Sequence, residues 1–292
     1  MKASAFSYAR ATSIGNALEL LVAHGDGAKL LSGGQSLMPA MNLRLLSPEI
    51  LVDIGDLTEL KGIERKGDVL RIGALTRHVD LLKSPEIAAY APLLTEAIAE
   101  VAHPAIRNKG TLGGSLAHAD PASELPACML ALNATIIARG QAGERRIAAA
   151  DFFTGIYETA LSAQELLVAV EVPVSQKDSV HFFHEFARRR GDYAIVGVAA
   201  QAVVKGGVFT DLRIAFLAVG DRPVLAKAPA RMINLAVTPA MLTEVSTALD
   251  QELDPQEDQQ ASPAMRRHLA KVLLARCVSA LLGRPDRNGE SA

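Results

Sequence analysis

Apolar positions change their period repeatedly along the chain, and each change marks an element. Ile14, Leu18, Leu21 and Val22 recur at helical spacing, which predicts a helix over 13–24 closed by His24-Gly25. A short apolar run at 28–31 reads as a strand, and Ser32-Gly33-Gly34-Gln35-Ser36 as the loop after it. Helical spacing returns over 37–45, with Pro39 in the first turn, where a missing N–H does little harm. Residues 50–54 form another strand, completing a β–loop–α–β unit with a double glycine in its loop.

Further along, 69–74 predicts a strand, 76–82 the start of a helix and 92–101 a second helix. The stretch from His103 to Ser115 is dense in turn formers and small residues. Asp120-Pro121-Ala122-Ser123-Glu124-Leu125-Pro126 then opens a helix to about Leu132, with both prolines in its first turns. Strands follow at 134–138 and 165–172, the second closed by Pro173. Beyond a boundary at 174–178 the pattern becomes that of an antiparallel sheet, with strands at 181–190, 194–204 and 212–219 and a hairpin at Lys205-Gly206-Gly207. Two helices, 239–249 and 263–282, flank a polar connection at 250–262, and a polar tail ends the chain. The predicted class is α+β, in two domains.

Composition narrows the function. With 292 residues, 30 basic and 32 acidic, the net charge is −2, without the basic excess of a nucleic-acid binder. Aromatic residues make up 4% and Trp is absent, which argues against a stacking platform for single strands. No apolar run reaches the roughly 20 residues a membrane span needs, and the N-terminal segment lacks a signal-peptide pattern. A cytoplasmic protein is expected. Cys128 and Cys277 both sit in apolar helical patterns, too few for a four-cysteine iron–sulfur site. The seven histidines form no zinc motif. No metal site is expected, so redox chemistry would need a non-metal cofactor or a partner chain.

Gly33-Gly34 and Gly113-Gly114 stand out. A glycine pair lets the backbone approach a phosphate and turn several N–H groups toward it. Two such loops can grip the two halves of one pyrophosphate; alternatively, each pair makes only a tight turn. Neither loop has the GxGxxG or the GxxxxGK[ST] pattern, which disfavours a Rossmann NAD domain and a P-loop ATPase. Residue chemistry alone leads to a two-domain α+β protein with a candidate nucleotide site.

The motifs resemble a known family. Ser32-Gly33-Gly34-Gln35-Ser36-Leu37 followed by Met41-Asn42-Leu43-Arg44-Leu45 is similar to the first flavin motif of the molybdenum hydroxylase medium subunits, the FAD-carrying subunits of the xanthine dehydrogenase and aerobic carbon monoxide dehydrogenase family. The run from His103-Pro104 through Arg107-Asn108 and Gly110-Thr111-Leu112-Gly113-Gly114-Ser115 to Asp120-Pro121 resembles their second motif. Arg188-Arg189-Arg190-Gly191-Asp192-Tyr193-Ala194 resembles the strand that starts their C-terminal domain, and Arg266-Arg267-His268-Leu269 their closing segment.

The resemblance implies a vanillyl-alcohol-oxidase-type FAD domain over 1–176, in subdomains of about 1–56 and 57–176. A C-terminal sheet-and-helix domain over 177–284 and a polar tail at 285–292 would follow. By the same resemblance, Ser32, Gly33, Gly34, Gln35, Ser36 and Leu37 hold the pyrophosphate from one side, and Gly110, Thr111, Gly113, Gly114 and Ser115 from the other. Ala102 and Ile106 are cofactor contacts, Glu124 accepts from ribose hydroxyls, Leu167 gives a backbone contact at the flavin end, and Asp192-Tyr193 shield one isoalloxazine face. For Glu124 the alternative is an exposed first-turn acid; for Tyr193, a core tyrosine. His103 and His118 read as loop-structuring, and His184 is given no role.

The implied partners are a large molybdopterin subunit that oxidises the substrate and a small [2Fe–2S] subunit that relays electrons, in a dimer of heterotrimers. No residue of this chain is then catalytic. An N-heterocycle, a purine, carbon monoxide or an aldehyde all suit as substrate, and NAD, oxygen or a quinone as acceptor. The competing readings are a self-contained flavin oxidase and a non-catalytic nucleotide-binding module.

Overall fold

In the computed structural model, which describes residues 2–283, the first helix, Ile14–His24, begins where the Ser13 side chain accepts the Asn16 N–H. It ends where Gly25, at φ +50°, returns its own N–H to the Leu21 carbonyl. Its buried face is Ile14, Ala17, Leu18 and Leu21; Val22, expected on that face, points to solvent. This helix packs on a three-stranded parallel sheet ordered Ser7–Arg10, Ile50–Asp53, Ala28–Leu31. The central strand begins with the buried apolar run Ile50-Leu51-Val52, as a strand covered on both faces requires. The edge strand Ser7–Arg10 is mostly exposed and carries no apolar signal, so it escaped prediction.

The helix expected over 37–45 stops early, at Leu37–Asn42. Arg44 takes φ +60° and donates its N–H to the Met41 carbonyl, while the Leu45 N–H reaches the Ala40 carbonyl. That is a helix-terminating pair of bonds with arginine in the place glycine usually fills.

A five-stranded antiparallel sheet follows, ordered Ile63–Lys66, Val69–Gly73, Leu166–Pro173, Thr135–Gly140, Gly143–Ala148. Its edge strands are charged and exposed, which suits edges and hides them from a pattern search. The turn-rich stretch 103–115 contains the single helical turn Pro104–Arg107 and leads into the helix Leu112–His118. The next helix, Glu124–Ala131, starts later than expected, leaving Pro121 outside, and all of its residues are buried.

The third sheet is antiparallel: Ser179–Phe186, Val196–Lys205, Val208–Leu217, Val224–Leu225. Gly206 and Gly207, at φ +59° and +77°, form the two-residue hairpin, whose handedness only such backbones match. The strand expected to reach Arg190 ends at Phe186; the chain then leaves the sheet in a turn closed by the Asp192 N–H on the Arg189 carbonyl.

Alternation sorts this sheet's faces. Ala199, Ala215 and Leu217 join the core around Glu124–Ala131, while Val198, Ala200 and Ala202 join the core around the helices Pro239–Leu249 and Pro263–Leu281. Cys128 and Cys277 are free and buried in these helical layers. No helix among the described residues is long and apolar enough to cross a membrane.

Arg266 ties the last helix to the sheet. It is 5% exposed and donates to the carbonyls of Ile195 (2.5 Å) and Ala218 (3.1 Å) and to Asp258 (2.6 Å). Arg266→Ala strands the buried Ala218 carbonyl and the half-buried Ile195 carbonyl, leaves Asp258 unpaired, and is expected to cost about 3–5 kcal/mol of stability. Equilibrium denaturation checks this; a change below about 1 kcal/mol would show the guanidinium to be dispensable.

Candidate functional site

Two loops from different sheets meet backbone to backbone. A Cβ placed on Gly33 would stand 2.2 Å from the Lys109 carbonyl oxygen and 3.0 Å from Gly110 Cα, so only glycine fits. Beside this contact the Ser32 and Thr111 hydroxyls are 2.6 Å apart, and Thr111 Oγ1 also accepts the Gly114 N–H. Gly34, at φ +69°, turns the first loop, and Gln35 Nε2 donates to the Gly33 carbonyl at 2.8 Å. The backbone N–H groups of Gly33, Gly34, Gln35 and Ser36 donate to no acceptor among the described residues. Gly113 faces inward instead: its N–H is spent on the Ala74 carbonyl, and a Cβ there would lie 2.6 Å from that of Ala74.

Under the second loop lies His78, 3% exposed. Its backbone N–H donates to the Gly110 carbonyl, and its Nε2 lies 3.1 Å from Ser115 Oγ. Burial pushes its pKa down to about 4, the nearby Arg107 charge adding to the effect against the Thr111 backbone, so the ring is neutral. Arg107 Nη1 donates to the carbonyls of Val101 (2.7 Å) and Ala102 (2.8 Å), holding Ala102 at φ +43°. Gly191, at φ +84°, packs on the same turn: a Cβ there would meet the Ala102 carbonyl at 2.7 Å and the His103 ring at 2.9 Å. Ala102 and Ile106 are thereby joined to the segment carrying Asp192 and Tyr193 from the C-terminal part of the chain.

The helix Leu112–His118 leads from the loops to a third group. Tyr157 and Tyr193 are exposed, at 55% and 59%. Tyr157 takes φ +56°, unusual for a bulky residue; its ring lies 4.9 Å from that of His118 and its hydroxyl 3.5 Å from Asp120. Partial burial, with the Asp120 charge behind it, raises the pKa of both tyrosines. Glu124 is buried rather than an exposed first-turn acid. Burial, reinforced by Asp120 and Glu100 against its own backbone N–H, raises it to about 7. Glu185, with an unpartnered buried Oε2, is raised to about 8 by burial and by the charges of Glu124 and Glu100. Leu167 is in the core, beside an irregularity in its strand's pairing.

The residues predicted for the cofactor thus fall into a loop clamp, the Ala102–Gly191 junction and an acidic wall around Glu124; Leu37 begins the helix after the first loop, and Leu167 lies in the core. His78, Tyr157 and Glu185 were missed, and Arg107 was noted in the second motif without a role. The one sequence signal available was Ile156-Tyr157, an apolar pair beside a glycine. Uncommitted N–H donors suit an anionic phosphate, and desolvated carboxyls suit hydroxyl or amino donors, so the arrangement accommodates a ligand polar in two different senses.

Residues 4–175 match the FAD binding domain in molybdopterin dehydrogenase, and residues 181–281 the CO dehydrogenase flavoprotein C-terminal domain. The 6-hydroxypseudooxynicotine dehydrogenase complex subunit alpha of Paenarthrobacter nicotinovorans is 38% identical, over 100% of this chain and 99% of that protein. The carbon monoxide dehydrogenase medium chain of Hydrogenophaga pseudoflava is 34% identical, over 96% and 98%. A solved carbon monoxide dehydrogenase from that organism, lacking the Mo-pyranopterin moiety, superimposes with a TM-score of 0.95 at 35% identity, covering 98% of this chain and 100% of its own. Quinoline 2-oxidoreductase from Pseudomonas putida 86 does so with a TM-score of 0.91 at 37% identity, covering 97% and 99%.

The acidic wall generates a pH dependence. Glu124 and Glu185 hold protons in the folded state at pH values where the unfolded chain has released them, so their contribution is complete below about pH 4.5 and is lost as pH rises through 7 and 8. The melting temperature of the cofactor-free chain is expected to fall over that window, and to fall less in Glu124→Gln and Glu185→Gln. Parallel slopes for native and variant chains in melts from pH 5 to 8.5 would show that these carboxyls do not govern it.

Proposed function

This chain belongs to the family of FAD-binding subunits of molybdopterin dehydrogenases, and we propose that its two glycine loops form the clamp for the flavin's pyrophosphate. It is an oxidoreductase subunit that carries FAD within a multi-subunit molybdenum hydroxylase. The observation behind the clamp is the row of uncommitted N–H groups from Gly33 to Ser36, beside a second loop locked to the first by Ser32 and Thr111. A Cβ at Gly33 would part the loops, so the residues present fit the group.

Bound FAD supplies redox chemistry that no side chain here offers, since a flavin accepts electrons singly and yields them in pairs. The chain's own residues bind and orient. Backbone N–H groups of the first loop, with the Ser36, Thr111 and Ser115 hydroxyls, hold the pyrophosphate, while Gly110, Gly113 and Gly114 keep the second loop close. Glu124 accepts from the ribose hydroxyls. Ala102 and Ile106 line the groove, Leu167 offers its backbone at the flavin end, and Asp192 and Tyr193 cover one face of the ring. No residue of this chain acts as a general base.

Cys128 and Cys277 lie in separate helices and supply no cluster ligand set. We therefore assign the [2Fe–2S] relay to a small partner subunit and substrate oxidation to a large molybdopterin subunit, in a dimer of heterotrimers. Substrate choice then rests with the large subunit, in keeping with relatives named for unlike substrates. The division into 1–176 and 177–284 follows the separation of the sheets, with 1–56 and 57–176 as subdomains; the tail at 285–292 lies outside the described residues. Two unpaired buried thiols suit the cytoplasm.

A visible spectrum of the purified complex, before and after denaturation, tests the assignment: flavin bands and released FAD are expected. Gly33→Ala is expected to lower FAD retention by about tenfold or more while leaving the circular dichroism intact. A colourless preparation that takes up no added FAD would overturn it.

A further inference from the structure

We propose that His78 is a positioning residue of the clamp: its Nε2–H donates to Ser115 Oγ and so frees the Ser115 hydroxyl proton for an oxygen of the pyrophosphate. This role rests on the FAD reading above, and deepens it.

The chemistry turns on one proton. A serine hydroxyl has a single donor and two lone pairs, and a neutral imidazole has one donor and one acceptor. The 3.1 Å separation of His78 Nε2 and Ser115 Oγ allows either atom to donate. If Ser115 donates to the ring, it shows the ligand only lone pairs, which repel a phosphate oxygen. If the ring donates, the Ser115 proton is available to that oxygen, as a bond to a charged acceptor.

Two observations favour the ring as donor. His78 is 3% exposed and held neutral, so its proton occupies one nitrogen at a time. Its Nδ1 is buried with no partner among the described residues, and the ring packs against the Gly110 backbone, where a Cβ would come within 3.0 Å. A proton on Nδ1 would be a buried donor with no acceptor, a rarer and costlier arrangement than a bare acceptor. His78 is itself fixed by its backbone bond to Gly110, so the imidazole and the loop it serves move as one unit.

Long-range proton–nitrogen correlation spectra of the full chain report the tautomer directly, with the His78 signals assigned by their loss in His78→Gln. The Nε2-protonated form is expected at neutral pH; an Nδ1-protonated or charged ring would overturn the proposal. In parallel, the FAD dissociation constant is measured for the chain in its complex. Ser115→Ala and His78→Phe are each expected to weaken binding about tenfold, and the double variant no more than either alone. His78→Gln, whose amide can donate from the Nε2 position, is expected to stay within about twofold of native.

Native-like binding by His78→Phe, additive losses in the double variant, or a loss in His78→Gln equal to that in His78→Phe would each sink the role of His78. Native-like binding by Ser115→Ala as well would instead count against the clamp. If His78→Phe does not fold, the tautomer and the Gln variant decide.

Discussion

Everything at the site depends on the absence of one methyl group, at Gly33, where the first loop lies directly on the Lys109 carbonyl. Ser32 and Thr111 sit 79 residues apart in sequence and 2.6 Å apart in space. One hydroxyl–hydroxyl bond contributes only about 1 kcal/mol net, too little to bring two sheets together. Apolar packing does that work: Leu18, Val52 and Ile54, around the parallel sheet, share a core with Leu75, Ile137, Leu166 and Val168, around the five-stranded one. Packing brings the loops together, the bare glycine lets them touch, and the hydroxyl pair sets their register.

The site is electrically lopsided. One end presents backbone donors, and the other presents Asp120, Glu124 and Glu185 with little neutralising charge beside them. Arg190 pairs with Glu100 at the edge, 3.1 Å away, but Glu124 and Glu185 receive no such partner among the described residues. Burying unpaired carboxyls is costly, and the raised values of both show that the cost is met by keeping protons. A ligand with an anionic middle and hydroxyl-bearing ends relieves both ends at once. The same polarity makes the empty site less comfortable as the medium becomes more alkaline.

Much of this was legible in the chain, and the exceptions follow a rule. The helix Ile14–His24 announced itself through its cap and its spacing, and the hairpin through adjacent glycines at positive φ. Both are encoded by neighbours in sequence. Ile63–Lys66 and Gly143–Ala148 did not show, because an edge strand needs no apolar face. The early end of Leu37–Asn42 was hidden because Arg44 does a glycine's work there. At the site, the glycine loops were readable because backbone approach demands a particular residue type. His78, Tyr157 and Glu185 were not, since each acquires its meaning from a contact with a distant segment.

The helix Glu124–Ala131 has no exposed residue, and much of its cover comes from far downstream. Arg213 donates twice to the Leu130 carbonyl, and the Ala218 N–H reaches the Pro121 carbonyl. A ribosome delivers the chain from its N-terminus, so both glycine loops and this helix emerge well before the strands that seal them. During that interval the part of this helix that packs on Val196–Lys205 and Val208–Leu217 is open to solvent, and the acidic wall lacks Glu185. The nascent chain therefore passes through a stage in which its loops are complete but the helix beside them is only partly covered. A chain cut short before the last sheet would leave that helix face uncovered, a sticky surface for chaperones to shield.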